Sequence, residues 1–159
     1  MLAPGLRLGW IVAPAEVIRH LVQAKQGTDL HTSALTQMIA YEVARGGFLD
    51  RHVREIRLVY RERRDAMLAA LSRYFPASVR WTKPQGGLFL WATLPEPIDA
   101  AEILHAAIAE NVAFVPGSSF FADGSGRNTL RLNFSNATPQ KIKEGIRRLG
   151  GVLHEALAS

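Results

Sequence analysis

Apolar residues crowd the start of the chain. Leu8, Trp10 and Val12 alternate along Leu6–Ala13, and Ile11 faces the other way, which predicts a strand buried on both faces. Pro14 ends that strand and suits the first turn of a helix over Ala15–Lys25, with Glu16 near its start and a stripe of Val17, Ile18, Leu21 and Val22. After a polar connection, Gln26–Ser33, a second helix is expected over about Ala34–Arg45, closed by Gly46-Gly47. A third, long helix covers about Leu49–Tyr74. Leu49, Val53, Ile56, Tyr60, Met67, Leu68 and Leu71 mark its inner side, and Arg51, Arg54, Arg57, Arg61 and Arg64 its outer side.

The pattern changes at Pro76. Short strands are predicted at Val79–Thr82, Leu88–Thr93, Val112–Val115 and Thr129–Phe134. Helices fall between and after them: Ala100–Glu110, with Asp99 and Glu102 at capping-box spacing, and a last helix opened by Thr138-Pro139 and running to Leu157. The expected fold class is α/β, with a small α+β domain at the C-terminal end. The first strand has no obvious partner in this scheme. A buried strand needs neighbours for its backbone groups, so a larger sheet upstream is expected.

Composition narrows the class. The chain has 159 residues, of which 48% are hydrophobic, which suits a folded domain and not a disordered one. With no cysteine there is no disulfide framework and no thiolate metal site, which fits a cytoplasmic protein. No apolar run reaches the length of a membrane span, and no signal-peptide pattern opens the chain. The net charge of +5 raises the question of nucleic acid. Much of it lies on the third helix, where Glu55, Glu62 and Asp65 interrupt the arginines, and a solvated face is the preferred reading. The five histidines are scattered, so no metal site is proposed.

Several residues are candidates for chemistry. Arg7, between Pro4-Gly5 and Gly9-Trp10, is either a surface arginine beside a strand or a bidentate phosphate ligand. In Thr129–Phe134, alternation puts Leu130, Leu132 and Phe134 on one face and Thr129, Arg131 and Asn133 on the other. Arg131 is therefore either an outer-face cation or a carboxylate clamp flanked by two polar side chains. Gly86-Gly87 before Leu88–Trp91 reads as a plain turn or as a close backbone approach to a ligand. Pro116-Gly117-Ser118-Ser119 has backbone amides for an anion but lacks the lysine and spacing of a P-loop.

Four segments together resemble the class I/II, fold type I aminotransferases that use pyridoxal 5'-phosphate, nearest to the aminoadipate and aromatic aminotransferases. They are Pro4–Trp10, Pro84–Trp91, Val115–Phe120 and Arg131–Ser135, in the family's order and spread over essentially the whole chain. The resemblance implies that Arg7 contacts the cofactor phosphate, that Arg131 grips the α-carboxylate of an amino acid or 2-oxo acid, and that Gly87 lies near that carboxylate. It also implies three parts: residues 1–14 from the last strand region of a large cofactor-binding domain, 15–75 as inter-domain helices, and 76–159 as the small C-terminal domain. The family is commonly homodimeric. In it a Schiff-base lysine precedes the segment matched by Pro4–Trp10, and here Met1 and Leu2 stand in that place. A catalytic residue is thus expected to be absent from this chain, and the chain alone to be inactive. Two other readings remain: the sensor end of an aminotransferase-like transcriptional regulator, and a basic nucleic-acid-binding module.

Overall fold

The computed structural model of the chain describes residues 4–158. Met1 and Leu2, which stand in the place of the family's lysine run, lie outside the described residues. The chain divides into two compact units, residues 1–56 and 57–159.

The first unit opens with a short 3-10 turn, Pro4–Leu6, followed by residues 7–14 without regular structure. The strand expected over Leu6–Ala13 is not formed. No other strand lies in the described part of this unit to complete its ladder, and Trp10 and Val12 stand 83% and 91% exposed. Extended apolar backbone without a partner gains nothing from a β conformation.

Helix α1 (Ala15–Thr28) begins after Pro14 and runs a turn beyond its expected end, where the Lys25 ammonium meets Asp29 at 2.7 Å. Leu30 then turns the chain at φ 62°. Helix α2 (Ala34–Ala44) is capped by Ser33, whose hydroxyl accepts from the Thr36 N–H. It stops where Gly46 and Gly47 adopt φ of +81° and +77°, the left-handed region that glycine enters without steric cost.

Helix α3 (Phe48–Tyr74) crosses from the first unit into the second. Within the second unit its Met67, Ala70 and Leu71 are buried, while Arg57 and Arg61 remain exposed. Arg64, expected on the solvated side, is instead half-buried. It donates to Asp65 at 2.7 Å and to the Pro84 carbonyl at 3.3 Å. Arg63 beside it donates to the Ser135 carbonyl.

The second unit is a four-stranded antiparallel sheet with helices packed on one face. Its strands are β1 (Arg80–Trp81), β2 (Phe89–Thr93), β3 (Val115–Pro116) and β4 (Thr129–Asn133), in the spatial order β1-β2-β4-β3. Leu90, Ala92, Leu130 and Leu132 point to the core from the two central strands. They meet Met67 and Leu71 of α3, Ile103 and Ala107 of α4 (Ala100–Ala109), and Ile142, Ile146, Leu149 and Leu153 of α5 (Pro139–Ala158). Burial of this apolar surface is the main stabilising term.

Local chemistry sets the ends of these elements. The Ala101 N–H donates to Asp99 at 2.8 Å and caps α4, and the other Asp99 oxygen takes both Nε and Nη2 of Arg127. The backbone bond and then the Arg127 bond hold the Asp99 carboxyl below its ordinary range. At the far end of α4, Asn111 adopts φ 58° while its N–H reaches the Ile108 carbonyl and the Val112 N–H reaches that of Ala107. This Schellman closure consumes Val112, so β3 starts at Val115 instead of Val112. Pro116 is tolerated because β3 is an edge strand. Thr138 caps α5 through the Lys141 N–H, as its Thr-Pro sequence suggests.

Glu144, in α5, accepts from Arg147 at 2.8 and 2.9 Å and from Arg148 at 2.8 Å. These bonds, Arg147's first, pull its carboxyl from the ordinary 4.5 to about 2. Since the folded value is the lower one, the contribution to stability is complete above about pH 4.5 and is lost as the pH falls towards about 2. The pair is at the surface, so the effect is small. Glu144→Gln is expected to lower Tm slightly at neutral pH and to flatten its fall through that acid window, as read by thermal melts in a pH series.

Candidate functional site

The sheet face turned away from the helices carries the second unit's candidate site. Along β4, burial alternates as expected, with Leu130 and Leu132 inward and Thr129, Arg131 and Asn133 on the other face. Antiparallel pairing sets Trp91 of β2 and Val115 of β3 on either side of Arg131. The Arg131 side chain is half-buried, and its guanidinium carbon lies 4.1 Å from the Phe89 ring centroid and 4.4 Å from that of Phe120. Both are cation–π distances. Among the described residues no carboxylate pairs with it.

The flanking polar side chains do other work. The Thr129 hydroxyl donates to the Gly126 carbonyl at 2.7 Å, and the Asn133 side-chain oxygen accepts from the N–H and hydroxyl of Ser135 at 2.6 and 2.7 Å. Sequence reasoning framed Arg131 with these two residues. The structure frames it with aromatic rings. Phe89 was discoverable in part, since alternation places it on the outer face of β2. Phe120 had no such signal, because the register that brings it to Arg131 is tertiary.

Phe120 is carried by the 3-10 turn Gly117–Phe120 that follows β3. Its ring meets Trp91 edge to face at 5.4 Å, and Phe121 meets the same Trp91 at 6.4 Å. Gly117 lets the turn sit this close: a Cβ there would lie 1.7 Å from the Thr129 hydroxyl oxygen and 2.8 Å from the Trp91 ring. The segment read as a candidate anion loop thus serves, in this geometry, to seat an aromatic ring against the arginine.

Gly87 lies in the loop leading into β2, with φ +81° and open space where a Cβ would stand. Its requirement is conformational and does not come from crowding. Arg64 steadies the same loop through Pro84, and the Phe134 N–H bonds the Leu88 carbonyl at 3.1 Å. Phe89, two residues on, is the loop's link to Arg131. Arg7 belongs to the first unit. It is exposed, at φ 55°, just after the Pro4–Leu6 turn, and its N–H bonds the Pro4 carbonyl at 3.1 Å. No carboxylate among the described residues engages its side chain. A groove of the first unit, about 450 Å³ in volume, is lined by Leu8, Trp10, Tyr41 and Leu49. No helix among the described residues is long and apolar enough to cross a membrane.

The chain is similar to known proteins over nearly its whole length. The chain matches the family model of class I and II aminotransferases over residues 1–149. It is 50% identical over 157 residues to aromatic-amino-acid aminotransferase 1 of Thermococcus litoralis, covering 99% of this chain and 38% of that protein. The crystal structure of α-aminoadipate aminotransferase from Thermus thermophilus, complexed with N-(5'-phosphopyridoxyl)-L-leucine, is similar with a TM-score of 0.81 at 50% identity. That match covers 98% of this chain and 40% of the other. A transcriptional regulator of the HTH type from Bacillus subtilis is 33% identical over 145 residues, 91% of this chain and 30% of that protein. The chain spans about two fifths of the length of the aminotransferases it matches. It belongs to the class I and II aminotransferase family.

Proposed function

We propose that this chain supplies the substrate-carboxylate site and a cofactor-phosphate contact of a pyridoxal-phosphate-dependent aminotransferase. The complete protein would move an amino group between an amino acid and a 2-oxo acid. The observation that carries this reading is Arg131, a half-buried guanidinium held by two rings with no carboxylate partner among the described residues. Its planar fork matches an α-carboxylate and would fix the orientation of the substrate's Cα. Gly87, two residues before Phe89 in the chain, is assigned to the neighbourhood of the bound carboxylate in the same proposal. The higher identity to the aminotransferases than to the regulator, 50% against 33%, favours the enzyme over a sensor domain.

For the phosphate end of the cofactor the proposed contact is Arg7. Arg7 is exposed and free of carboxylates, and its backbone N–H is already satisfied, so its side chain is the group on offer. Pyridoxal phosphate, when bound, supplies the electron sink for chemistry at Cα. None of the four lysines follows the family's placement: Lys25 is tied to Asp29, Lys83 lies in the loop before β2, and Lys141 and Lys143 lie in α5. The same proposal assigns residues 1–14 to a large domain, 15–75 to inter-domain helices and 76–159 to the small domain of a cytoplasmic homodimer. A polypeptide of these 159 residues alone is then inactive. The test is to incubate it with pyridoxal phosphate, reduce with borohydride and map pyridoxyl-lysine by peptide mass spectrometry. No stoichiometric adduct at any one lysine is expected. A single saturable adduct would assign the anchoring role to a lysine within the chain, and turnover by the purified chain without a partner polypeptide would overturn the inactivity.

A further inference from the structure

We infer that Phe89 and Phe120 are positioning residues for carboxylate recognition, holding the Arg131 guanidinium in place without consuming its N–H donors. This rests on Arg131 being the carboxylate-binding arginine. An arginine side chain has many rotamers, and a carboxylate or carbonyl that fixes one of them occupies the same N–H groups a ligand needs. Arg131 is held differently. A ring face attracts the cation through its quadrupole and takes no hydrogen bond in the ordinary sense, so the fork stays free for two carboxylate oxygens.

The surrounding contacts support this division of labour. Thr129 and Asn133, the polar neighbours on the same strand face, are committed to Gly126 and Ser135 and do not hold the guanidinium. Phe120 is itself set by Trp91 at 5.4 Å, and Trp91 is the β2 residue paired with Arg131. Gly117 admits the turn against Thr129 and Trp91. The chain thus places a ring from β2 and a ring from the turn after β3 against one cation on β4.

The test uses the 159-residue chain and sodium pyruvate as the probe, at low ionic strength. The Arg131 Nε–H resonance is followed by NMR, first alone and then through the titration. Ring currents are expected to displace this resonance in the free chain, and pyruvate to shift it in a saturable way. Phe89→Leu and Phe120→Leu are each expected to weaken pyruvate binding about fivefold, while Phe120→Tyr, which keeps the ring, binds as the parent does. Should Phe120→Leu disturb the backbone amide spectrum, Phe89→Leu decides the matter. Leucine variants that bind like the parent, while Arg131→Met does not bind, would overturn the positioning role and leave the carboxylate site standing. Unchanged binding by Arg131→Met would remove both.

Discussion

Alanine at Gly150 and alanine at Gly151 are expected to change stability in opposite directions. The two glycines are adjacent in the middle of α5, and helix propensity alone favours alanine at each by about 1 kcal/mol. At Gly151 a Cβ meets nothing within 4 Å, so Gly151→Ala should realise that gain. At Gly150 the same atom would stand 2.4 Å from the Tyr74 carbonyl oxygen, 3.0 Å from its carbon and 3.2 Å from its Cβ. The obstacle is chiefly backbone at the end of α3, which cannot move aside as a flexible side chain can. Overpacking of this kind costs about 1–3 kcal/mol or more, enough to outweigh the propensity gain. Thermal or urea melts of the two variants and the parent read the result directly. Equal shifts of the same sign would mean that α5 does not pack on Tyr74 at Gly150.

Arg131→Met is expected to weaken carboxylate binding at least about tenfold while leaving the fold intact. Methionine keeps comparable length and makes favourable contacts with aromatic rings, so Phe89 and Phe120 retain a partner. What is lost is the charged fork. Hydrogen bonds to charged groups contribute about 1.5–3 kcal/mol each, so pyruvate affinity should fall by at least about tenfold. Arg131→Lys should recover only part of the loss, since an ammonium restores a point charge and not a planar pair of donors. In the aminotransferase proposed for the complete protein, Arg131→Met is expected to lower kcat/KM for α-carboxylate substrates by about a hundredfold or more, because an unheld carboxylate leaves Cα misplaced. A methionine variant with the parent's affinity would end the reading of this face as a carboxylate site.

Arg131 could be singled out from its strand alone, because a two-residue period shows which face it occupies. Nothing in Gly150-Gly151 distinguishes one glycine from the other until α5 is laid against the end of α3.

Hydrophobic period and cap chemistry were sufficient for most of the local structure. The stripe of α3, the inward Leu130 and Leu132, the cap at Asp99 and the start of α5 at Thr138 all follow from side chains within a turn or two of one another. Neighbours along the chain determine such features because their relative geometry is set once the element forms. Residues 7–14 show the limit: their apolar pattern is that of a buried strand, yet a strand exists only where another supplies the opposite half of its hydrogen bonds. The start of β3 shows another, since the closure of α4 claimed Val112. The aromatic hold on Arg131, the commitment of Thr129 and Asn133 elsewhere, and the tight seat of Gly117 were decided by tertiary structure alone. Each depends on the register between strands distant in sequence, and a shift of one residue would send Phe89 or Arg131 to the opposite face.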